Sequence, residues 1–261
     1  MTSNADYHAD PAISASHLHA VANSPYHYWS RFLAPDRPPS VQTAAMKLGS
    51  LTHCAVLEPD ELTSRYAICL PRNTKAGKEM AAEMEAGSIE AVTSTDMEQA
   101  LAMAASVRSH QAAAALLRDG KAEQSFWWDD STGLRCKCRP DWYNGTTIVD
   151  LKTTTDASPK GVAKSVAQWR YHVQQNHYLA GTFAERFVFI AVEKTYPYAV
   201  GVYELDETAA LHGEAERRNN LQTIADCRAI AEWPGYGNTI QPLSLPSWAL
   251  QTSSPITSED F

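Results

Sequence analysis

Apolar positions between Val162 and Val173 recur at helical spacing. Val162, Val166, Trp169 and Val173 stand at i, i+4, i+7 and i+11, one stripe of a long helix that Ser158-Pro159 would open. The preceding stretch, Arg135 to Lys152, has a period of two instead. Asn144-Gly145 lies between its two β-rich runs, the strongest short-range sign of a hairpin closed by a two-residue type I′ turn. Such a turn pairs Tyr143 with Thr146, Asp141 with Ile148 and Arg139 with Asp150. Side chains alternate across a strand, so Arg139, Asp141, Asp150 and Lys152 then share one face. The other face carries Cys136, Cys138, Trp142, Val149 and Leu151, which suit a core.

The remaining pattern fills in around this hairpin. Ser14 caps a helix to position 22, Ser24-Pro25 opens another to 32, and Pro35, Pro38 and Pro39 make a rigid connection. A helix over 43–57 stops ahead of Pro59 and carries His53, with Gly49 and Ser50 one turn earlier leaving room for a close neighbour. Helical composition returns at 79–86, and Thr95-x-x-Glu98 reads as a capping box opening an Ala-rich helix to about 118. A strand over 123–128 turns through 129–133 into the hairpin. Strands over 187–193 and 198–205 flank Tyr196-Pro197, and a helix runs over 207–231. The segment 233–261, rich in Pro, Ser and Thr, reads as extended, with Trp233 and Trp248 packing on a neighbouring surface. A chain of 261 residues buries one good core, so a single domain is expected. Its helical part is 1–120, its central core 121–205, and its last helix and tail 206–261.

Composition changes little in this picture. With 44% hydrophobic and 20% charged residues the chain reads as globular, and its clearest apolar run, Phe187 to Val192, is too short to span a bilayer. The polar start lacks a signal-peptide pattern, which places the chain in the cytoplasm with its five cysteines reduced. Cys136-x-Cys138 has the wrong spacing for a zinc knuckle. Gly77-Lys78 is no phosphate loop, since Arg72 and Glu79 stand where glycine and Ser or Thr are needed. A net charge of −8 argues against a nucleic-acid partner, but the distribution argues the other way. Arg135 to Arg170 holds seven Lys/Arg against three Asp/Glu, while Glu204 to Glu232 holds seven acids against three arginines.

Two aspartates and a lysine on one sheet face are costly to bury without a purpose, and a hard divalent cation held by the acids supplies one. An exposed Asp150–Lys152 ion pair is the plain alternative. Asp141, then Asp150-x-Lys152, then Gln174-x-x-x-Tyr178 resembles the PD-(D/E)XK nuclease family. The branch is that of RecB-type nuclease domains and RecE-type (exonuclease VIII) phage recombination exonucleases. The likeness runs through Tyr7-His8-Ala9, Ile13-Ser14, Leu48-Gly49-Ser50, Val56-Leu57-Glu58-Pro59, Cys136 to Asp141, Asp150 to Thr154, Arg170 to Gln174, Glu232-Trp-Pro234 and Leu243 to Pro246.

That resemblance implies an α/β fold with a central mixed β-sheet flanked by helices, and a Mg²⁺-dependent exonuclease in which Mn²⁺ can substitute. It implies metal ligation by His53, Asp141, Asp150 and the Leu151 backbone carbonyl, and a water-orienting role for Lys152. Gln174 and Tyr178 would organise the lysine and the DNA strand, and Glu123 would add a metal or water contact. The substrate would be a duplex DNA end degraded 5′ to 3′. A single-strand annealing protein would be the partner, and a trimeric or tetrameric homo-oligomeric ring the assembly. No membrane partner is expected. The hairpin register adds an expectation of its own: Arg139, opposite a metal-committed Asp150, would grip the terminal 5′-phosphate, with Ser16 and Arg31 as further candidates. An endonuclease of the same fold, or a DNA-binding module without turnover, remain alternatives.

Overall fold

The computed structural model describes residues 4–39 and 41–246, and its elements follow one another as short helices, a helical pair and a sheet. α1 (Asn4–Ala9), α2 (Ala15–Val21) and α3 (Pro25–Tyr28) lead into one π-helical turn, Trp29–Leu33. α4 (Ala44–Leu57) is capped by Thr43 Oγ1, which accepts the Met46 N–H at 3.2 Å. Then come α5 (Leu62–Arg65), β1 (Tyr66–Ile68), α6 (Lys75–Ala86) and β2 (Glu90–Val92), with β1 and β2 paired in parallel. α7 (Ser94–Ser109) and α8 (Gln111–Leu116) replace the single Ala-rich helix expected here. Thr93, not Thr95, caps the first, and His110 caps the second through Nδ1 and the Ala113 N–H.

Of the expected strand over 123–128 only the end forms, as β4 (Phe126–Asp129); the shorter β3 (Lys121–Ala122) precedes it and stops at a left-handed Glu123. β5 (Arg135–Cys138) pairs with β4 in a hairpin of its own. β6 (Trp142–Tyr143) and β7 (Thr147–Thr154) make the second hairpin. α9 (Pro159–Trp169), α10 (Tyr171–Ala180), β8 (Arg186–Glu193), β9 (Val200–Tyr203) and α11 (Glu207–Ile230) complete the described fold. The main sheet runs β3-β6-β7-β8-β9, with β7 and β8 parallel and the other pairs antiparallel. It is a mixed sheet flanked by helices. β8, buried on both faces, reads as a nearly continuous apolar run, whereas β7 beside it is interrupted by Asp150 and Lys152. Leu51, Cys54, Met103 and Val107 of α4 and α7 cover Val149, Leu151, Ile190 and Val192. On the other face Tyr178 and Leu179 of α10 pack on Ile148, Phe187 and Phe189.

The hairpin register differs from the expected one. Trp142 pairs with Val149 and Tyr143 with Ile148, two residues out of the predicted alignment. The cause is Asn144, whose Oδ1 accepts the N–H groups of Thr146 and Thr147 at 3.1 and 2.8 Å. Only Gly145 takes positive φ (98°), so a type I′ turn, which needs it at both central residues, does not form. A shift by two leaves every side chain on its own face, and the grouping of Asp141 with Asp150 and Lys152 survives. Arg139 does not follow. The pairing of β5 with β4, interrupted from β6 at Pro140, removes Arg139 from the β7 ladder.

Two further expectations change. The helix from Ser158 breaks at Arg170, a left-handed residue at φ 55°, so Val173 belongs to a second helix. A Cβ at Gly49 would meet nothing nearer than Thr153 Oγ1 at 3.8 Å, so no close neighbour requires that glycine. Trp233 stacks obliquely on Tyr28 at 5.1 Å, while Trp248 lies outside the described residues. Among the described residues no helix is long and apolar enough to cross a membrane.

Candidate active site

Asp150 and Lys152 stand two apart on β7 and face α10. The Asp150 carboxylate is 1% exposed, and Lys152 Nζ lies 2.6 Å from its Oδ2. Gln174, on the first turn of α10, ties the pair together: its Nε2 donates to Asp150 Oδ1 at 2.7 Å and its Oε1 accepts from Lys152 Nζ at 3.3 Å. Tyr171 places its ring 4.5 Å from the same ammonium. Burial pushes the Asp150 carboxyl above the usual carboxylate range, with Lys152 pulling it back. Burial also opposes charge on Lys152, but Asp150 and Asp141 outweigh it and hold its pKa above the ordinary value. Removing one partner of such a pair strands a buried charge, at a cost of about 3–5 kcal/mol.

A second group adjoins the first. Asp141 Oδ2 accepts the Leu151 N–H at 2.7 Å, which locks the carboxylate against β7. His53 Nδ1 approaches the same oxygen at 3.6 Å from α4. Glu123 completes the cluster: one ligand atom from each of His53, Glu123 and Asp141 lies within 4.8 Å of the others. Its left-handed backbone (φ 53°) ends β3, and its N–H bonds the Asp141 carbonyl at 3.2 Å. A non-glycine residue held there costs about 1–2 kcal/mol, the kind of strain that collects at functional sites. Burial, then the neighbouring Asp141 charge, pushes the Glu123 carboxyl up to about 8, with Arg139 opposing. An imidazole and two crowded carboxylates, one with its acidity suppressed, form a donor set that fits a divalent cation.

Other expected residues fall in different places. Tyr178, half-buried, packs on Phe187 and is held as the neutral phenol, its pKa well above ordinary because of burial and the nearby Tyr7. Ser16 and Arg31 come together with Gln174 and Tyr178 around one cleft of about 420 Å³. Arg139 is elsewhere: Nε donates to Ser125 Oγ at 2.8 Å, Nη1 to Asn4 Oδ1 at 3.1 Å, and the guanidinium lies 4.0 Å from the centre of the Tyr7 ring. It is not opposite Asp150, contrary to the hairpin expectation. Tyr171 and Tyr7 had no assigned role in the sequence. The signal for Tyr171 was its i, i+3 spacing to Gln174, visible only once α10 is known to start after Arg170.

Residues 14–245 match the family model described as a PDDEXK-like domain of unknown function (DUF3799). The chain belongs to this family. Among solved structures, the PDDEXK-like chain is similar to a candidate exonuclease from Eubacterium rectale, at 15% identity and a TM-score of 0.64. That alignment covers 96% of this chain and 98% of the other. A phage-related exonuclease from Haemophilus somnus 129PT aligns at 11% identity and a TM-score of 0.35, over 84% of this chain and 95% of its own. No curated protein matches. The first likeness speaks for the fold, and the family match makes it a PDDEXK-like fold, with Asp150 and Lys152 on its central strand β7.

Proposed function

We propose that this PDDEXK-like chain is a Mg²⁺-dependent exonuclease that degrades duplex DNA from its ends, 5′ to 3′. The 3′ single strands left behind would serve recombination. The observation that carries the reading is convergence. His53, Glu123, Asp141, Asp150, Lys152 and Gln174 come from five separate segments and meet at the edge of β7. His53, Glu123 and Asp141 would hold Mg²⁺ or Mn²⁺, and Asp150, whose oxygens Lys152 and Gln174 engage here, would join them with the Leu151 carbonyl. When bound, the cation lowers the pKa of its water and polarises the scissile phosphate. Lys152 orients the attacking water and offsets charge developing on phosphorus, and Gln174 fixes the lysine. Ser16 and Arg31, which line the cleft beside Gln174, would take the terminal phosphate.

The likeness to RecE-type exonucleases extends the proposal to a trimeric or tetrameric ring around the duplex and to a single-strand annealing protein that receives the 3′ tail. Light scattering at micromolar concentration that reports a monomer while digestion stays processive would remove the ring. The activity is tested with end-labelled linear duplex and a closed circle, each with Mg²⁺ and with chelator. Linear DNA should lose its 5′-ended strand only with the metal, and the circle should survive. Asp141→Asn and Asp150→Asn should each abolish cleavage. Cutting of the circle would make the protein an endonuclease, and binding without any cleavage would make it a DNA-binding module.

A further inference from the structure

Trp169, the last residue of α9, is 52% exposed beside the site just described. Lone exposed aromatics are ordinary on protein surfaces, but this one occupies a partition. Two clefts open next to the Asp150–Lys152–Gln174 group, and Trp169 lines both. The first, of about 420 Å³, includes Arg31 and Arg170; the second, of about 290 Å³, includes Lys152 and Lys194. Arg170 and Lys152 are paired with Glu216 and Asp150, which leaves Arg31 on one side of the indole and Lys194 on the other to meet an anion.

The backbone holds it there at a cost. Arg170 takes φ 55° and ψ 41°, ending α9 so that α10 starts in a new direction. No glycine relieves that conformation, which is disfavoured by roughly 1–2 kcal/mol for a residue with a Cβ. The corner is pinned instead by Glu216 of α11, which pairs with the Arg170 guanidinium and with His172 Nε2 at 3.1 Å. His19 lies nearly parallel to the indole, with ring centres 6.4 Å apart, and steadies it.

We propose that Trp169 is a stacking platform for a nucleobase next to the scissile phosphate. The cleaved strand would pass over the indole from one cleft into the other, its phosphates met by Arg31 on one side and by Lys194 on the other. The proposal rests on the nuclease reading above. Stacking suits an exonuclease because every base offers a π-face, so grip does not depend on sequence.

The test compares the unaltered protein, Trp169→Phe and Trp169→Ala on end-labelled duplex, and on duplexes carrying one abasic residue at each near-terminal position in turn. Trp169→Ala should raise KM roughly ten- to hundredfold with a smaller change in kcat, and Trp169→Phe should restore most of it. One abasic position should weaken the unaltered protein by a similar factor and the alanine variant hardly at all. A wild-type KM for Trp169→Ala, or an undiminished abasic penalty in that variant, would overturn the platform while leaving the nuclease reading intact. Failure of the unaltered protein to digest any duplex would remove both. The abasic comparison on the unaltered protein needs no substitution, so misfolding cannot imitate its result.

Discussion

His177 is a proton-sensitive rivet, and its effect on stability can be worked out. The ring is fully buried on α10, and Nε2 lies 3.2 Å from the Ile13 carbonyl and 3.1 Å from the Lys137 carbonyl. Carbonyls only accept, so Nε2 carries the proton and Nδ1, buried without a partner, is bare. Burial, then Arg217, pulls its pKa down from 6.5 to about 4, against the two carbonyls and Asp130. A base whose folded pKa is depressed gives its full stability above pH 6.5 and loses it as pH falls toward 4. At pH 5 the unfolded imidazole is almost wholly protonated and the folded one about a tenth protonated, a difference of about 2 kcal/mol. His177→Gln keeps an N–H for the carbonyls but cannot titrate. Urea unfolding followed by tryptophan fluorescence should show the variant weaker at pH 7, with the gap narrowed by about 2 kcal/mol at pH 5. His17, pulled down to about 3, is present in both proteins and cancels. An identical gap at the two pH values would refute the account.

Four other outcomes are expected. Glu123→Gln should stabilise the chelated protein, since a carboxyl raised to about 8 makes ionisation destabilising between pH 4.5 and 8. The gain, on the order of 3 kcal/mol at pH 7, should shrink toward pH 5 in urea titrations. Lys152→Ala should cut turnover about a hundredfold or more while affinity for a DNA end holds; a parallel loss of both would make the lysine a phosphate anchor only. Arg31→Ala should slow 5′-phosphorylated duplex more than 5′-hydroxyl duplex, whereas Arg139→Ala, whose guanidinium is engaged with Ser125 and Tyr7, should slow both alike. Gly213→Ala would set a methyl 2.3 Å from the His172 carbonyl, and thermal unfolding should show a loss of roughly 1–3 kcal/mol.

What could be read from the chain depended on whether the signal was local. Thr43, Ser158 and Ser14 announce their helices because a cap acts within a few residues. The shared face of Asp141, Asp150 and Lys152 was legible even through a wrong register, because a slip of two preserves parity. Arg139 shows where that protection ends. Parity says nothing about which strand a residue pairs with, and β5 pairs with β4 through the local turn that Asp130 and Gly133 close. The corner at Arg170 left no trace either, since it is fixed by Glu216, far along the chain, and not by glycine. Glu123 was visible as a candidate but not as a kink between two strands.

The second and the last helices of the described chain share one core. Leu18 and Val21 of α2 pack with Leu221 and Ile224 of α11, Asn220 donates to the Leu18 carbonyl at 3.3 Å, and Arg228 reaches the Tyr28 hydroxyl at 3.0 Å. α11 also lies along α10 and supplies Glu216 to the Arg170 corner. During synthesis, every acid, histidine and lysine of the site has left the ribosome before α11 exists. Until that helix emerges, Gln174 sits on a helix with no support on its outer flank, and the amino-terminal turns have nothing to close against. A chain arrested at Glu193 therefore carries the full set of reactive side chains without the means to align them. Alignment of the site therefore waits on α11, although α11 contributes none of its acids, its lysine or its histidine.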